Sequence, residues 1–295
     1  MKPLRLRAAY PPLGKFVDAT GSRLHYFERG PSLAGGSGRA VVLLHGNPGS
    51  LHHYLPVVDG LAGSFRAIAF DRPGHGYSEA ARGDSGSPIA QARTLHAALE
   101  ALGVSRPILV AESWSGSLAL AYALEFPDEV AGIVTVAGTF HEDPGLIDPT
   151  YGLFLAPVVG PLVRWTVAPL LARKRVRARL ERAFSPQAVD PAFAERSIRL
   201  WTRPQALLSV ARDAVTRARV VPELAAAYPR VAVPVVMLVG TADVYVDQAG
   251  QAYRLRAEVR GAELVEVPEA GHFVLECRPE LVVEAVERVA SRTTG

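Results

Sequence analysis

The stretch ILVAESWSGSLALAYAL, residues 108–124, decides the fold. It opens as a short continuous apolar run, Ile108 to Ala111, the composition of a strand buried on both faces, and closes as a helix-like run, Leu118 to Leu124. Between them stands Ser113, with small residues two before it and two and three after it. That spacing predicts a nucleophile elbow. Ala111, Ser115 and Gly116 let strand and helix approach, and the serine takes a strained backbone pose with its oxygen exposed at the helix N-terminus. Ala111 and Ser115 stand where the usual G-x-S-x-G has glycines. An N-cap is the plainer role for such a serine, so the elbow reading depends on what the rest of the chain supplies.

Outward from this stretch, further apolar runs alternate with helix-length segments: Val41 to Leu44, Ala67 to Phe70, Gly132 to Val136, Val235 to Val239 and Leu264 to Val267. Short runs of this kind read as buried parallel strands. Phe16 to Asp18 and Leu24 to Phe27 flank a Thr20-Gly21 turn and read as an opening hairpin, and residues 30–38 form a small-residue loop. From 139 to 228 the alternation stops, replaced by prolines, arginines and helical periodicity. The expected architecture is therefore an α/β fold of three layers, a mostly parallel sheet with helices on both faces. Its core is discontinuous, residues 1–138 and 229–295, with a helical cap over 139–228.

In such sheets the loops at the carboxyl ends of the strands line the ligand crevice. After Leu44 comes HGNPGS, a turn-rich loop able to aim the backbone N–H of Asn47 outward; with the N–H of Trp114, after the serine, it would form an oxyanion hole. His45 reads as a buried brace of this loop. After Phe70 comes DRPGHGYS, a fixed turn in which His75 is a poor candidate for a general base. Val239 leads into GTAD, where Asp243 would orient a histidine; Asp247 competes but suits a solvated or capping role. After Val267 comes PEAGHF, and His272 precedes the last helix. Ser113, Asp243 and His272 thus follow in the order of a nucleophile, acid and base set on strand ends.

The chain has 295 residues, 49% hydrophobic and 21% charged, enough to build a large core without disulfides or metals. The single cysteine, Cys277, excludes an internal disulfide framework and a cysteine zinc cluster, and points to a reducing cytoplasm. The net charge of +3 is mild, and the one dense basic cluster, Arg173 to Arg182, lacks a nucleic-acid-binding motif and reads as a solvated helix face. The N-terminal residues contain no apolar run of signal-peptide length. Tyr151 to Leu171 is nearly all apolar with Arg164 as its only charge, but Pro157, Pro161 and Pro169 interrupt it. The apolar core of a lid is the favoured reading; a surface segment dipping into lipid, helped by the arginines that follow, is the competitor.

With these motifs in place, the chain resembles α/β-hydrolases of the HGxPG type: HGNPGS, DRPGHGYS, AESWSG, GTAD and AGHF stand where that family places them, over nearly all of the core. The resemblance implies a cofactor-independent serine hydrolase, of carboxylesterase type, that cleaves a small hydrophobic ester, thioester or amide. Asn47 followed at a distance by Trp114 is similar to the pair that holds the departing halide in haloalkane dehalogenases. Those enzymes use an aspartate nucleophile, whose ester water can hydrolyse; Ser113 attacking an alkyl halide would leave a stable ether, which speaks against dehalogenase and epoxide-hydrolase chemistry. The serine-tryptophan pair is also similar to prolyl iminopeptidases, which keeps an amide substrate open, and a binding protein that retains the fold with little turnover is the competing class. Glu112 is similar to the glutamate in the GES of many carboxylesterases; it either bonds within the strand-end region or recognises a polar group of the substrate. Cap residues Leu153, Phe154, Leu155, Trp165 and Trp201 predict a hydrophobic pocket, or simply pack the cap.

Overall fold

The structure, a computed structural model, describes residues 10–31, 39–83 and 86–293. The expected loop over 30–38 lies outside the described residues from 32 onward, as does the start of the N-terminal segment. The opening hairpin forms from β1 (Lys15–Ala19) and β2 (Ser22–Arg29), then β3 (Ala40–Leu44), α1 (Leu55–Leu61), β4 (Arg66–Phe70), α2 (Pro88–Ala101), β5 (Ile108–Glu112), α3 (Ser115–Glu125) and β6 (Gly132–Val136) follow. After an insertion the chain resumes with β7 (Val235–Gly240), β8 (Glu263–Val267) and a C-terminal helix, Pro279–Arg292. The eight strands lie in the order β1-β2-β4-β3-β5-β6-β7-β8, with β1 and β2 antiparallel and every pairing from β4 to β8 parallel.

Strand periodicity explains the two cores. Val42, Leu44, Leu109 and Ala111 point to one face and pack under α2 and α3, while Val41, Leu43, Ile108 and Val110 point to the other and meet α1 and the C-terminal helix. Covered on both faces, β3, β5 and β6 have no exposed position, so the continuous apolar runs are what their place in the sheet requires.

The insertion between β6 and β7 contains α4 (Tyr151–Leu155), α5 (Val159–Trp165), α6 (Ala168–Phe184), α7 (Pro191–Trp201) and α8 (Pro204–Ala226). Pro169, Pro191 and Pro204 stand in first turns, where the missing N–H leaves no helical bond unmade, and Asp190 caps α7 by accepting the Phe193 N–H at 2.6 Å. The interior of this unit is Leu180, Phe184, Ile198 and Trp201, packed against Phe273 and Tyr77 of the sheet domain. Tyr151 to Leu171 departs from the expected buried lid core. Tyr151 and Ala168 turn inward, but Val158, Leu162 and Leu170 face water. The cause is geometric: short proline-broken helices offer one side to the molecule, and on α5 that side carries Gly160 and Arg164. Among the described residues no helix is long and apolar enough to cross a membrane.

Candidate active site

Ser113 sits on the turn between β5 and α3 with φ +49°, a left-handed pose that costs a serine about 1–3 kcal/mol. Three backbone bonds enforce it. The Ser113 N–H donates to the Val136 carbonyl at 2.9 Å, and its carbonyl accepts from Gly116 and Thr139, each at 2.9 Å. The neighbouring strand β6 thus holds the turn in place and leaves the side chain half-exposed above the sheet.

His272 follows β8, and its Nε2 lies 3.2 Å from Ser113 Oγ. Its Nδ1 lies 2.9 Å from Asp243 Oδ2. The three residues singled out in sequence are therefore brought together. Asp243 also accepts from the backbone N–H of Tyr245 (2.8 Å) and Val246 (3.2 Å) and from the Gln248 amide (3.0 Å). Gly240 lets the loops meet, since a Cβ there would lie 2.3 Å from the carbonyls of both Ala270 and Gly271. Burial works against a charged His272, yet the Asp243 carboxylate, with Glu112 farther off, raises the ring above its ordinary 6.5. Burial likewise raises Asp243, but the His272 charge and hydrogen bond and the two backbone donors bring it below the usual carboxylate value. Asp247 stays apart, accepting from the N–H groups of Ala249 and Gly250 as a local cap.

The loop after β3 lies beside the serine: a Cβ on Gly46 would be 3.1 Å from Ser113 Cβ. Among the described residues the backbone N–H groups of Asn47 and Trp114 have no protein acceptor. The loop is anchored from several sides. His45 bonds Gly46 O through Nδ1 (2.8 Å) and accepts the Arg72 N–H on Nε2 (3.0 Å), the bonding of a neutral brace. Burial and the Arg72 charge hold it well below its ordinary value. Ser115, at a position where glycine is usual, donates its hydroxyl to the His45 carbonyl at 2.6 Å.

Sequence reasoning missed the centre of this bracing. Arg72 donates to the carbonyls of His45 and Gly46 (both 2.9 Å), to Gln91 (2.8 Å) and to Asp213 Oδ2 (2.6 Å), and stacks 4.2 Å over the Trp114 ring. Asp213, on α8, also meets His75 Nε2 at 2.9 Å, so His75 is bound to the insertion rather than to Ser113. A lone acid on the buried face of α8, among Val210, Ala211 and Arg217, was the available signal. α8 also occupies two groups singled out in sequence: Asn47 Nδ2 donates to the Val210 carbonyl (3.0 Å), and the Trp114 indole N–H to the Asp213 carbonyl (3.1 Å).

Glu112 points behind the serine rather than into the crevice, accepting the Gly46 N–H at 3.1 Å. It shares that buried space with His53, whose Nδ1 lies 3.5 Å from Glu112 and 3.2 Å from Glu276. Burial and the Glu112 charge push the Glu276 carboxyl well above the usual carboxylate range. Among the described residues these three side chains form the one group with the composition and spacing to hold a cation.

A cavity of about 200 Å³ lies between α4, α5, α6, α7 and α8, walled by Tyr151, Phe154, Val167, Leu171, Trp201 and Val210 among others. It reaches Pro48, next to Asn47, although Ser113 is not part of its wall. Trp201 lines it as expected, and its buried Nε1 has no partner among the described residues. The expectation that Trp165 lines a pocket fails: it is 59% exposed, on the outer side of α5. Glu112 as a substrate contact fails too, because the Gly46 loop covers it.

A family model described as alpha/beta hydrolase fold matches residues 39–279. Among curated proteins the chain is similar to haloalkane dehalogenase 2 of Mycobacterium tuberculosis, 27% identical over 287 residues that cover 94% of this chain and 94% of that protein. Among solved structures it is similar in fold to the enol-lactonase from Burkholderia xenovorans, with TM-score 0.77 and 20% identity over 94% of this chain and 100% of that one. It is equally similar to a thermophilic esterase from Thermogutta terrifontis, with TM-score 0.77 and 21% identity over 95% and 100%. A sheet order, a strand-end serine turn and a family match over most of the chain agree, and the protein belongs to the α/β-hydrolase fold family.

Proposed function

We propose that this hydrolase cleaves carboxylic esters of largely hydrophobic substrates through an acyl-enzyme on Ser113. The observation that carries the reading is the continuous chain Ser113 Oγ, His272 Nε2, His272 Nδ1 and Asp243 Oδ2, with links of 3.2 and 2.9 Å. Ser113 Oγ attacks the ester carbonyl carbon as His272 Nε2 takes its proton, and Asp243 keeps the imidazole in the required tautomer. The N–H groups of Asn47 and Trp114 receive the oxyanion. As the tetrahedral intermediate collapses, His272 returns the proton to the leaving alcohol. Water, deprotonated by the same nitrogen, then attacks the acyl carbon and releases the acid and the free serine. The insertion acts as the cap: its cavity accepts the apolar group, and the unpartnered Trp201 indole N–H donates to an acceptor on the substrate. With its single thiol, the protein works in a reducing cytoplasm.

The dehalogenase relative invites a second reading, and two observations weigh against it. Ser113 stands where an aspartate nucleophile is needed, and both groups that would hold a halide, Asn47 Nδ2 and the Trp114 indole, already donate to carbonyls of α8. Amide hydrolysis of the prolyl-iminopeptidase kind and ligand binding with little turnover differ only in what the site accepts or completes. Intact mass after fluorophosphonate treatment tests the proposal, with peptide mapping and the variants Ser113→Ala and His272→Ala. Labelling at Ser113 that requires His272 supports an activated serine, and an ester, thioester and amide screen then ranks the substrates. An unlabelled, folded protein that releases chloride or bromide from haloalkanes overturns it.

A further inference from the structure

Helix α5 is inverted. The N-cap residue Val158 and, within the helix, Leu162 and Trp165, at i, i+4 and i+7, form one face, and they are 84, 66 and 59% exposed. The side turned to the protein carries Gly160 and Arg164, whose guanidinium donates to the Phe154 carbonyl. The pattern continues across the turn into α6, where Val167, Leu170 and Leu171 also face water. A scattered exposed leucine needs no explanation, but with Val159 seven large apolar side chains are exposed within residues 158–171, a patch of the kind that marks an interaction surface.

The charge beside the patch identifies the occupant. Between Asp148 and Glu181 the sequence has no acidic residue and six basic ones, and α6 exposes Arg173, Lys174, Arg175 and Arg177 directly after Leu171. Apolar side chains bordered by cations on the same surface match the boundary of a bilayer whose headgroups are anionic: the apolar groups enter the acyl edge and the guanidinium groups meet phosphate. A protein partner would need a matching acidic rim, and a second copy of this chain offers this basic surface its own like charge. The cavity opens onto the patch as well, since Val167 and Leu171 belong to both.

We propose that the face formed by Val158, Leu162, Trp165, Leu170 and the following arginines docks the protein on anionic phospholipid bilayers. Esters dissolved in the membrane then reach the cavity without crossing water. This last step rests on the function proposed above; the docking does not.

Sedimentation of the full chain with vesicles tests the docking. Vesicles of equal parts phosphatidylcholine and phosphatidylglycerol are expected to carry the protein down, more weakly as salt is raised, and phosphatidylcholine alone to carry little. Trp114 and Trp201 are buried, so the emission of Trp165 should shift to the blue on binding and the shift should vanish in Trp165→Phe. The triple variant Leu162→Gln, Trp165→Gln, Leu170→Gln should lose binding while its melting temperature and its turnover of a water-soluble ester stay unchanged. Arg173→Glu with Arg177→Glu should weaken anionic binding by about tenfold or more. No sedimentation with the anionic vesicles overturns the proposal. So does concentration-dependent dimerisation that the triple variant abolishes, which would assign the face to a second copy. Docking without fluorophosphonate labelling would sink the catalytic reading and leave this one standing.

Discussion

Beneath Ser113 the strand-end loops take charge out of water: Arg72, Asp213, His45 and Glu112 are each at most 2% exposed, and each is matched by partners at 2.6–3.1 Å. On the far side of the cavity, α5 and the start of α6 turn Leu162, Trp165 and Leu170 outward and bury Arg164. The first region is over-determined. Its buried polar groups are costly unless every partner is present, so the loop that carries Asn47 has one geometry. The second spends little on its own internal fit, and its outward face adds nothing to the stability of the isolated chain. On the function and docking proposed above, rigid floor and loosely committed rim would divide two tasks, holding the reacting atoms and meeting the bilayer.

The largest effects are expected at the floor. Ser113→Ala should lower kcat by on the order of a million-fold if the three residues act as one unit, with the melting temperature nearly unchanged. Full esterase activity in that variant would break the contrast at its centre. Arg72→Ala removes a buried guanidinium from Asp213 and from both loop carbonyls and should destabilise by about 3–5 kcal/mol in urea unfolding. It should also lower activity, because the loop carrying Asn47 loses its anchor.

The raised His272 gives a pH signature. The base must be neutral to accept the serine proton, so kcat/KM should rise with pH through a midpoint above 6.5. The linkage runs the other way for stability: the ion pair with Asp243 stabilises fully below the unfolded histidine value and is lost as pH climbs through the folded one. Activity should therefore increase over the window in which this contribution to stability fades. Asp243→Asn should move the activity limb to lower pH; an unmoved limb would assign it to another group.

Burial and the nearby Glu112 raise the Glu276 carboxyl, which makes the pocket behind the serine testable. A carboxyl raised in the folded state weakens folding as pH rises above its unfolded value near 4.5, because the unfolded chain releases the proton first. Glu276→Gln removes that dependence. The variant should match the parent in acid and melt progressively higher than it as pH is raised towards 8. An equal offset at every pH would mean that Glu276 is ionised in the folded protein.

Much of the floor was legible because strand ends advertise themselves. Ser113 and Asp243 each follow a continuous apolar run that is buried throughout, β5 and β7, while His272 follows the half-exposed edge strand β8, where Glu266 interrupts the run; the parallel sheet then brings these carboxyl ends to one edge. Beyond the lone acid on the buried face of α8, neither the Arg72–Asp213 pair nor the meeting of Glu276 with His53 and Glu112 was legible, since these contacts depend on how α8 and the segment after His272 pack, and no local period encodes that. Glu112 bonds within the strand-end region, one of its two readings, and the substrate-contact readings of Glu112 and Trp165 fail for a common reason. Sequence tells which residue types are near the site but not which way each faces: Glu112 is the last residue of β5 and turns beneath the Gly46 loop, and Trp165 lies on the outer side of a helix whose inner side is polar.

The smallest expected effect tests the rim. If Leu162 and Leu170 face only water, Leu162→Gln and Leu170→Gln should each change unfolding free energy by within about 0.5 kcal/mol, as surface substitutions do. A buried lid core would lose several times more, since each leucine would forfeit about 1.5–3 kcal/mol of burial. Leu180→Gln, on the inner side of α6 and 1% exposed, supplies the contrast within one helix and should fall in the larger class. Equal losses at 170 and 180 would mean that α6 is covered on both sides in solution, and the division between a committed floor and an uncommitted rim would fail.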